Sequence, residues 1–245
     1  MKLFCFPYAG GSSAIFNRWK SYIGHEIEIR AIELAGRGKR IHEAHYNTFD
    51  EAINDVLKLI NDEIKSDSGY AFFGHSMGAK IAYELTQRIL DEGYQGPKHI
   101  FFSGRGAPYI KGKDEKDYHK LPDEEFKDEI LNLGGTPKEF FEHPELLEVF
   151  LPLLKNDFKL AARDIVENEI KLLPCDITVF LGKDEELTPE QIDGWKNYTS
   201  GNCTVHYFNG GHFFINEKIQ EVVQTINNTV QLIRKPFDAM SSSYK

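Results

Sequence analysis

The chain has 245 residues, 41% hydrophobic and 27% charged, with a formal net charge of −9. That length suits one α/β domain with a substantial core, and the acidic balance argues against a nucleic-acid binder, which shows a basic face. There is no apolar run of about eighteen residues to span a membrane, and the apolar start around Leu3 is too short for a signal peptide.

Residues 3–6 form an apolar run ended by Pro7 and the Gly10–Gly11 pair, which reads as a buried strand. Ser12 or Ser13 can cap a following helix that carries Ile15, Phe16 and Trp19. Residues 26–32 alternate as a second strand and lead into a Gly- and Arg-rich loop at 33–38. Thr48 opens a helix with Phe49, Ile53, Val56, Leu57, Ile60 and Ile64 on one face. Residues 70–73 read as a buried strand, 77–90 as a helix closed by Gly93, and 99–103 as another strand. This alternation predicts a mostly parallel central sheet with helices on both faces. The rhythm stops from Tyr109 to about Arg163, where short amphipathic helices at 123–133 and 144–154 lie between Pro and Gly breaks. We read this as a helical insertion within one domain of residues 1–245, not as a second domain. The βα pattern resumes with a strand at 177–181, a helix at 189–198, a strand at 204–208 and a last helix at 216–233, before a disordered tail around Ser241, Ser242 and Ser243. The three cysteines, Cys5, Cys175 and Cys203, show neither metal nor disulfide spacing, which points to a reducing, cytoplasmic location.

Chemistry enters at Gly74-His75-Ser76-Met77-Gly78, a G-x-S-x-G sequence between a strand and a helix. Such a serine sits on a strained turn with its oxygen thrust outward, and its neighbours two positions away must be small. Chance matches to five residues are common, but here the strand and the helix are both in place. A serine hydroxyl needs a base. His212, in Gly210-Gly211-His212 after the strand at 204–208, is the candidate base; His75 reads as support for the turn. The acid is expected at the end of the preceding strand, in Gly182-Lys183-Asp184-Glu185-Glu186. Asp184 and Glu185 both qualify, Glu186 less so. An oxyanion hole would use the N–H of Met77 and an N–H from the loop after the first strand, at Tyr8 or Ala9. The Gly10–Gly11 pair lacks the Lys-Ser or Lys-Thr of a phosphate loop. Together these features predict an α/β-hydrolase fold with a helical insertion at about 109–163.

The chain resembles the type II thioesterases that accompany nonribosomal peptide and polyketide synthases. The resemblance rests on an ordered set: residues 6–12 with Pro7-Tyr8-Ala9-Gly10-Gly11, Gly36-Arg37-Gly38, the elbow at 73–78, Ser103-Gly104-Arg105-Gly106, Leu133-Gly134-Gly135-Thr136-Pro137, residues 151–158 with Asp157, and Gly210-Gly211-His212-Phe213-Phe214. It implies hydrolysis of stalled or wrong acyl groups from the phosphopantetheine arm of acyl or peptidyl carrier domains. It also implies no cofactor of the enzyme's own, since the phosphopantetheine belongs to the partner, and a monomer. No nucleic-acid or membrane partner is expected. By position Ser76 is the nucleophile and His212 the base. The family's spacing favours Glu185 as the acid, while Asp184 keeps the commoner residue type. Ala35 stands where the family loop usually has proline before Gly-Arg-Gly, and a looser loop is expected there. The insertion becomes a lid, with Phe126, Phe140, Phe141, Phe150 and Phe158 as aromatics that line a pocket or, for any one of them, simply hold the small helices together. Arg37 is noted for its family position alone, with a structural role as the expected reading. Since carrier domains are acidic like this chain, docking by bulk charge is not expected. The main alternative is a serine esterase or lactonase acting on free small-molecule esters. A noncatalytic ligand-binding relative and an acyltransferase are the further readings.

Overall fold

The computed structural model describes residues 1–245 except 66–68, 109, 111–115, 136–139, 141–142, 163–169 and 242–245, and gives the backbone alone at 144 and 235–241. Six strands form one sheet: β1 (Lys2–Phe6), β2 (Glu28–Ala31), β3 (Tyr70–His75), β4 (His99–Ser103), β5 (Asp176–Gly182) and β6 (Cys203–Phe208). Their order is β2-β1-β3-β4-β5-β6 and every neighbouring pair is parallel.

The strand sequences explain why the sheet is covered on both faces. Alternate residues of one strand enter different cores. Phe4, Phe6, Phe72 and Phe102 belong to one cluster, with residues of α1 (Phe49–Ile64) and α2 (Met77–Asp91). Leu3, Cys5, Phe73 and Phe101 belong to the other, with Phe16 and Trp19 of the 3-10 segment Ser13–Ser21 and with Val222, Val223 and Ile226 of the last helix. Strands apolar at every position are the expected mark of a parallel sheet buried on both sides. Each fully buried Phe contributes about 1.5–3 kcal/mol.

Local signals set most boundaries. The Thr48 hydroxyl caps α1 by accepting the Glu51 N–H at 3.1 Å. Ser12 accepts the Ala14 N–H at 3.4 Å, so the segment after β1 starts where expected, but as a 3-10 helix and not an α-helix. β2 is shorter than its sequence pattern. Between β4 and β5 the described residues hold α3 (Asp123–Leu133) and α4 (Pro144–Ala161) and no strand. The expected insertion limits at Tyr109 and Arg163 lie outside the described residues. α4 runs seven residues past the sequence estimate of Leu154, because the polar stretch Lys155-Asn156-Asp157 turns Asp157 into the core instead of ending the helix. The segment at 189–198 splits into α5 (Pro189–Asp193) and a 3-10 turn, Gly194–Tyr198. α6 (Phe214–Glu217) and α7 (Ile219–Ser241) close the chain. The last helix therefore reaches Ser241, where a disordered tail was expected; Ser242 and Ser243 are outside the described residues.

From β1 the sheet grows to β2 on one side and β3 on the other. In open parallel sheets ligands bind at such a switch point, beyond the carboxyl ends of the strands. The loop after β1 and the turn after β3 both open there.

Candidate active site

The turn after β3 carries Ser76 at φ 55°, ψ −111°, the one non-glycine residue with positive φ among those described. Backbone strain of this kind costs about 1–3 kcal/mol and persists where the surroundings enforce it. Here the Ser76 N–H donates to Ser103 O at 2.8 Å, and Ser76 is the N-cap of α2. The flanking glycines are explained by close approach. A Cβ on Gly74 would lie 2.0 Å from Gly78 O, and one on Gly78 would lie 2.2 Å from Phe6 O. A side chain at 74 would push α2 off β3 and one at 78 would push it off β1, and either would unmake the turn.

Beneath Ser76, His75 is wholly buried, with Nδ1 2.8 Å from the Ser103 hydroxyl oxygen. Burial, and after it the neighbouring His212, hold its imidazole well below its ordinary pKa, so His75 stays neutral. Its ring packs against two loops, the one after β1 and the one after β6. It lies 4.9 Å from the His212 ring, 5.7 Å from the Tyr8 ring and 6.2 Å from the Phe213 ring, centroid to centroid. Tyr8 and Phe213 in turn meet edge to face at 5.0 Å.

His212 follows β6 and is 26% exposed at its side chain. Its Nδ1–H donates to Glu185 Oε1 at 2.7 Å. Glu185, 8% exposed, accepts the Gly182 N–H on its other oxygen at 2.6 Å. Of the two acids left open, Glu185 is the one that meets His212. Glu185 folds back over the end of β5 to meet the imidazole, whereas Asp184 is exposed and its backbone N–H donates to Gly210 O at 3.1 Å. Glu186 is exposed as well. The carboxylate fixes the proton on Nδ1 and leaves Nε2 as the basic nitrogen.

The loop after β1 lies beside the elbow. The Gly11 N–H donates to Tyr8 O at 2.9 Å and the Gly10 N–H to Asp157 Oδ2 at 2.7 Å. Those two amides are thereby occupied, which leaves Tyr8 and Ala9 as the loop's candidate donors to a ligand. The Tyr8 hydroxyl accepts from Asn216 Nδ2 at 3.3 Å, and burial raises its pKa.

Two further parts of the site are poorly visible in the sequence. Arg37 has the structural setting expected of it: it is 4% exposed and forks onto Asp157 through Nη1 to Oδ2 at 2.6 Å and Nη2 to Oδ1 at 2.8 Å. The residue before Gly36-Arg37-Gly38 does not loosen its loop. The Ala35 N–H donates to the Tyr46 hydroxyl at 3.0 Å, and Tyr46 donates to Asp55 at 2.5 Å. A proline at 35 would have no N–H to give.

An apolar cavity of about 250 Å³ opens beside Gly10 and Arg37, lined also by Ile41, Phe140, Val149 and Phe150. Ser76 and His212 are not in its lining. Of the aromatics expected to line a pocket, Phe140 and Phe150 do so. Phe126 and Phe158 pack on each other edge to face at 5.6 Å, and Phe141 lies outside the described residues. Among the described residues no group of three or more His, Cys, Asp or Glu side chains is placed to hold a metal ion.

The thioesterase domain model matches residues 1–230. The chain is 35% identical to the gramicidin S biosynthesis protein GrsT of Aneurinibacillus migulanus, over 96% of this chain and 91% of that one. It is 39% identical to the medium-chain S-acyl fatty acid synthase thioesterase of Rattus norvegicus, over 87% of this chain and 81% of that one. Among solved structures, ClbQ from the colibactin NRPS/PKS pathway superposes with a TM-score of 0.87 at 34% identity, covering 95% of this chain and 98% of its own. A strained serine elbow, a carboxylate-bound histidine and a family match across nearly the whole length lead to one conclusion: this chain belongs to the thioesterase domain family, as a hydrolase of α/β-hydrolase type.

Proposed function

We propose that the chain is a type II thioesterase that clears stalled or aberrant acyl groups from the phosphopantetheine arm of acyl or peptidyl carrier domains in nonribosomal peptide or polyketide synthesis. The observation that carries the reading is the Glu185–His212 bond, with the His212 ring against His75 of the serine elbow, in a chain whose relatives serve gramicidin S and colibactin biosynthesis.

Ser76 is the nucleophile. His212 takes its proton through Nε2 as the hydroxyl oxygen attacks the thioester carbonyl, and Glu185 stabilises the imidazolium that forms. The Met77 N–H, at the positive end of α2, and an N–H from Tyr8 or Ala9 hold the oxyanion. Each such donor stabilises the transition state by about 2.7–4 kcal/mol. The C–S bond breaks and the thiol leaves with the proton from His212. A water, deprotonated by His212, then attacks the acyl-serine ester; the acid departs and Ser76 regains its proton. His75, neutral beside His212, adds no repulsion to the imidazolium.

The enzyme needs no cofactor of its own, since phosphopantetheine arrives on the substrate. Its three cysteines are free, which fits a reducing cytoplasm shared with the carrier domains. No described helix is long and apolar enough to cross a membrane. α3 and α4 act as a lid over the site, and one chain carries the whole site, so a monomer suffices.

The competing reading is an esterase or lactonase of free esters, which would use the same residues. Catalytic efficiency on one acyl group, presented as a carrier-bound thioester and as a free ester, separates the two. A large preference for the carrier form is expected; equal efficiencies would favour the esterase.

A further inference from the structure

A deeply buried ion pair lies outside the serine, histidine and glutamate. Asp157, on α4, is fully buried, and Arg37 is nearly so. Between them they hold the loop after β1 by both of its glycines. Asp157 Oδ2 accepts the Gly10 N–H at 2.7 Å, and Arg37 Nη1 donates to Gly11 O at 3.2 Å. Arg37 is itself steadied by a bond from Nε to Ala35 O at 3.4 Å. Gly10, at φ +76°, is pressed by the same helix: a Cβ there would lie 2.6 Å from Leu154 Cδ1 and 3.2 Å from Phe150 Cζ.

The far end of α4 is tied to the other side of the site. Lys80, one turn after Ser76 on α2, donates to Ala161 O, and Arg105 Nη2 donates to the same oxygen at 3.4 Å. Leu160 enters the main core. These anchors all follow Pro152, which interrupts the helix's own hydrogen bonding. Before it, Leu146 and Val149 are exposed. The second half of α4 thus grips both the loop carrying Tyr8 and Ala9 and the helix that starts with Met77.

We infer that Asp157, with Arg37, is a positioning pair for the oxyanion hole: the lid helix sets where the loop's donors point. A buried ion pair often adds little net stability compared with well-packed apolar residues. A pair that served the fold alone could therefore be replaced without cost to the chemistry. A pair that aims backbone donors could not, because small misplacements of donors reduce the rate steeply.

The inference rests on the proposed use of Tyr8 or Ala9 as oxyanion donors, but not on the identity of the acyl carrier, so the test uses two substrates. The double variant Arg37→Met with Asp157→Leu removes both charges at once and keeps an apolar contact. It is assayed on an activated p-nitrophenyl acyl ester and on an acyl-carrier thioester, together with its affinity for a trifluoromethyl ketone that mimics the tetrahedral intermediate. Expected are a cooperative thermal transition, kcat lowered about 10- to 100-fold on the ester with KM within about threefold, and analogue affinity weakened by a similar factor. A folded double variant with wild-type kcat and wild-type analogue affinity overturns the inference. Should that variant fail to fold, Arg37→Lys, which keeps the charge and loses the fork, decides in the same way: lowered kcat at steady KM supports the pair, and unchanged kcat removes it. Wild-type enzyme that turns over the ester and not the carrier thioester would end the proposed function and leave this inference standing.

Discussion

Replacing Glu185 by glutamine removes one charge and almost no volume, and the consequence follows from counting donors. Two N–H groups point at the carboxylate, Gly182 N–H at 2.6 Å and His212 Nδ1–H at 2.7 Å. A glutamine offers one oxygen and one NH2 group. The backbone amide cannot change its role, while an imidazole can move its proton. The oxygen therefore settles on Gly182, and the NH2 faces Nδ1, which must become an acceptor. The proton is then on Nε2, where it blocks the removal of the Ser76 proton. Loss of kcat by about 10³- to 10⁴-fold is expected, equivalent to about 4–5.5 kcal/mol. Asp184→Asn, at an exposed side chain, should change kcat less than about twofold, within the range of surface substitutions. Steady-state thiol release from an acyl thioester, with circular dichroism as the fold control, measures both. A slow Asp184→Asn variant beside a Glu185→Gln variant of wild-type speed would refute the assignment.

Other positions yield equally direct expectations. Gly78→Ala places a methyl carbon 2.2 Å from Phe6 O and should lower stability by about 3 kcal/mol, read as a drop in urea midpoint; an unchanged midpoint would mean α2 can retreat from β1 freely. Tyr46→Phe leaves the buried Ala35 N–H without its acceptor and should cost about 1–3 kcal/mol while sparing KM; a loss below about 0.5 kcal/mol would show the loop is held elsewhere. Burial holds His99 down to about 4 from 6.5. The unfolded chain therefore takes up the proton first, and stability falls as pH drops below 6.5 and levels off near 4. His99 alone should remove about 2 kcal/mol between pH 7.5 and 5. Denaturant titrations of wild type and His99→Gln at those two pH values check this, and equal losses in both would contradict it.

Much of this molecule can be read from its residues, and the exceptions share a cause. β3 and β4 are legible because strands buried on both faces, such as Tyr70–His75 and His99–Ser103, carry apolar residues on both. The elbow is legible because the turn admits so few residue types. The acid is not, since Asp184 and Glu185 are neighbours in sequence and only the longer side chain bends back to Gly182 and across to His212. Asp157 is hidden for a different reason. Its partners, Arg37 and Gly10, lie 120 and 147 residues away, and a buried carboxylate within Lys155-Asn156-Asp157 looks like the polar end of a helix. Ala35 misleads in the same manner: the absence of a ring suggests slack, but its N–H supplies a bond that no pattern along the chain announces. In each case the missing information is a polar contact across the fold, which hydrophobic periodicity does not encode.

The most direct test of the whole account is mass spectrometry of an acylated carrier protein incubated with the enzyme and, separately, with Ser76→Ala. Loss of the acyl mass from the phosphopantetheine arm with the intact serine, and no loss with the variant, is the predicted result. An acyl mass that persists with the wild type, while Ser76 still reacts with a fluorophosphonate, would contradict the carrier-thioester reading and leave a serine hydrolase of another ester.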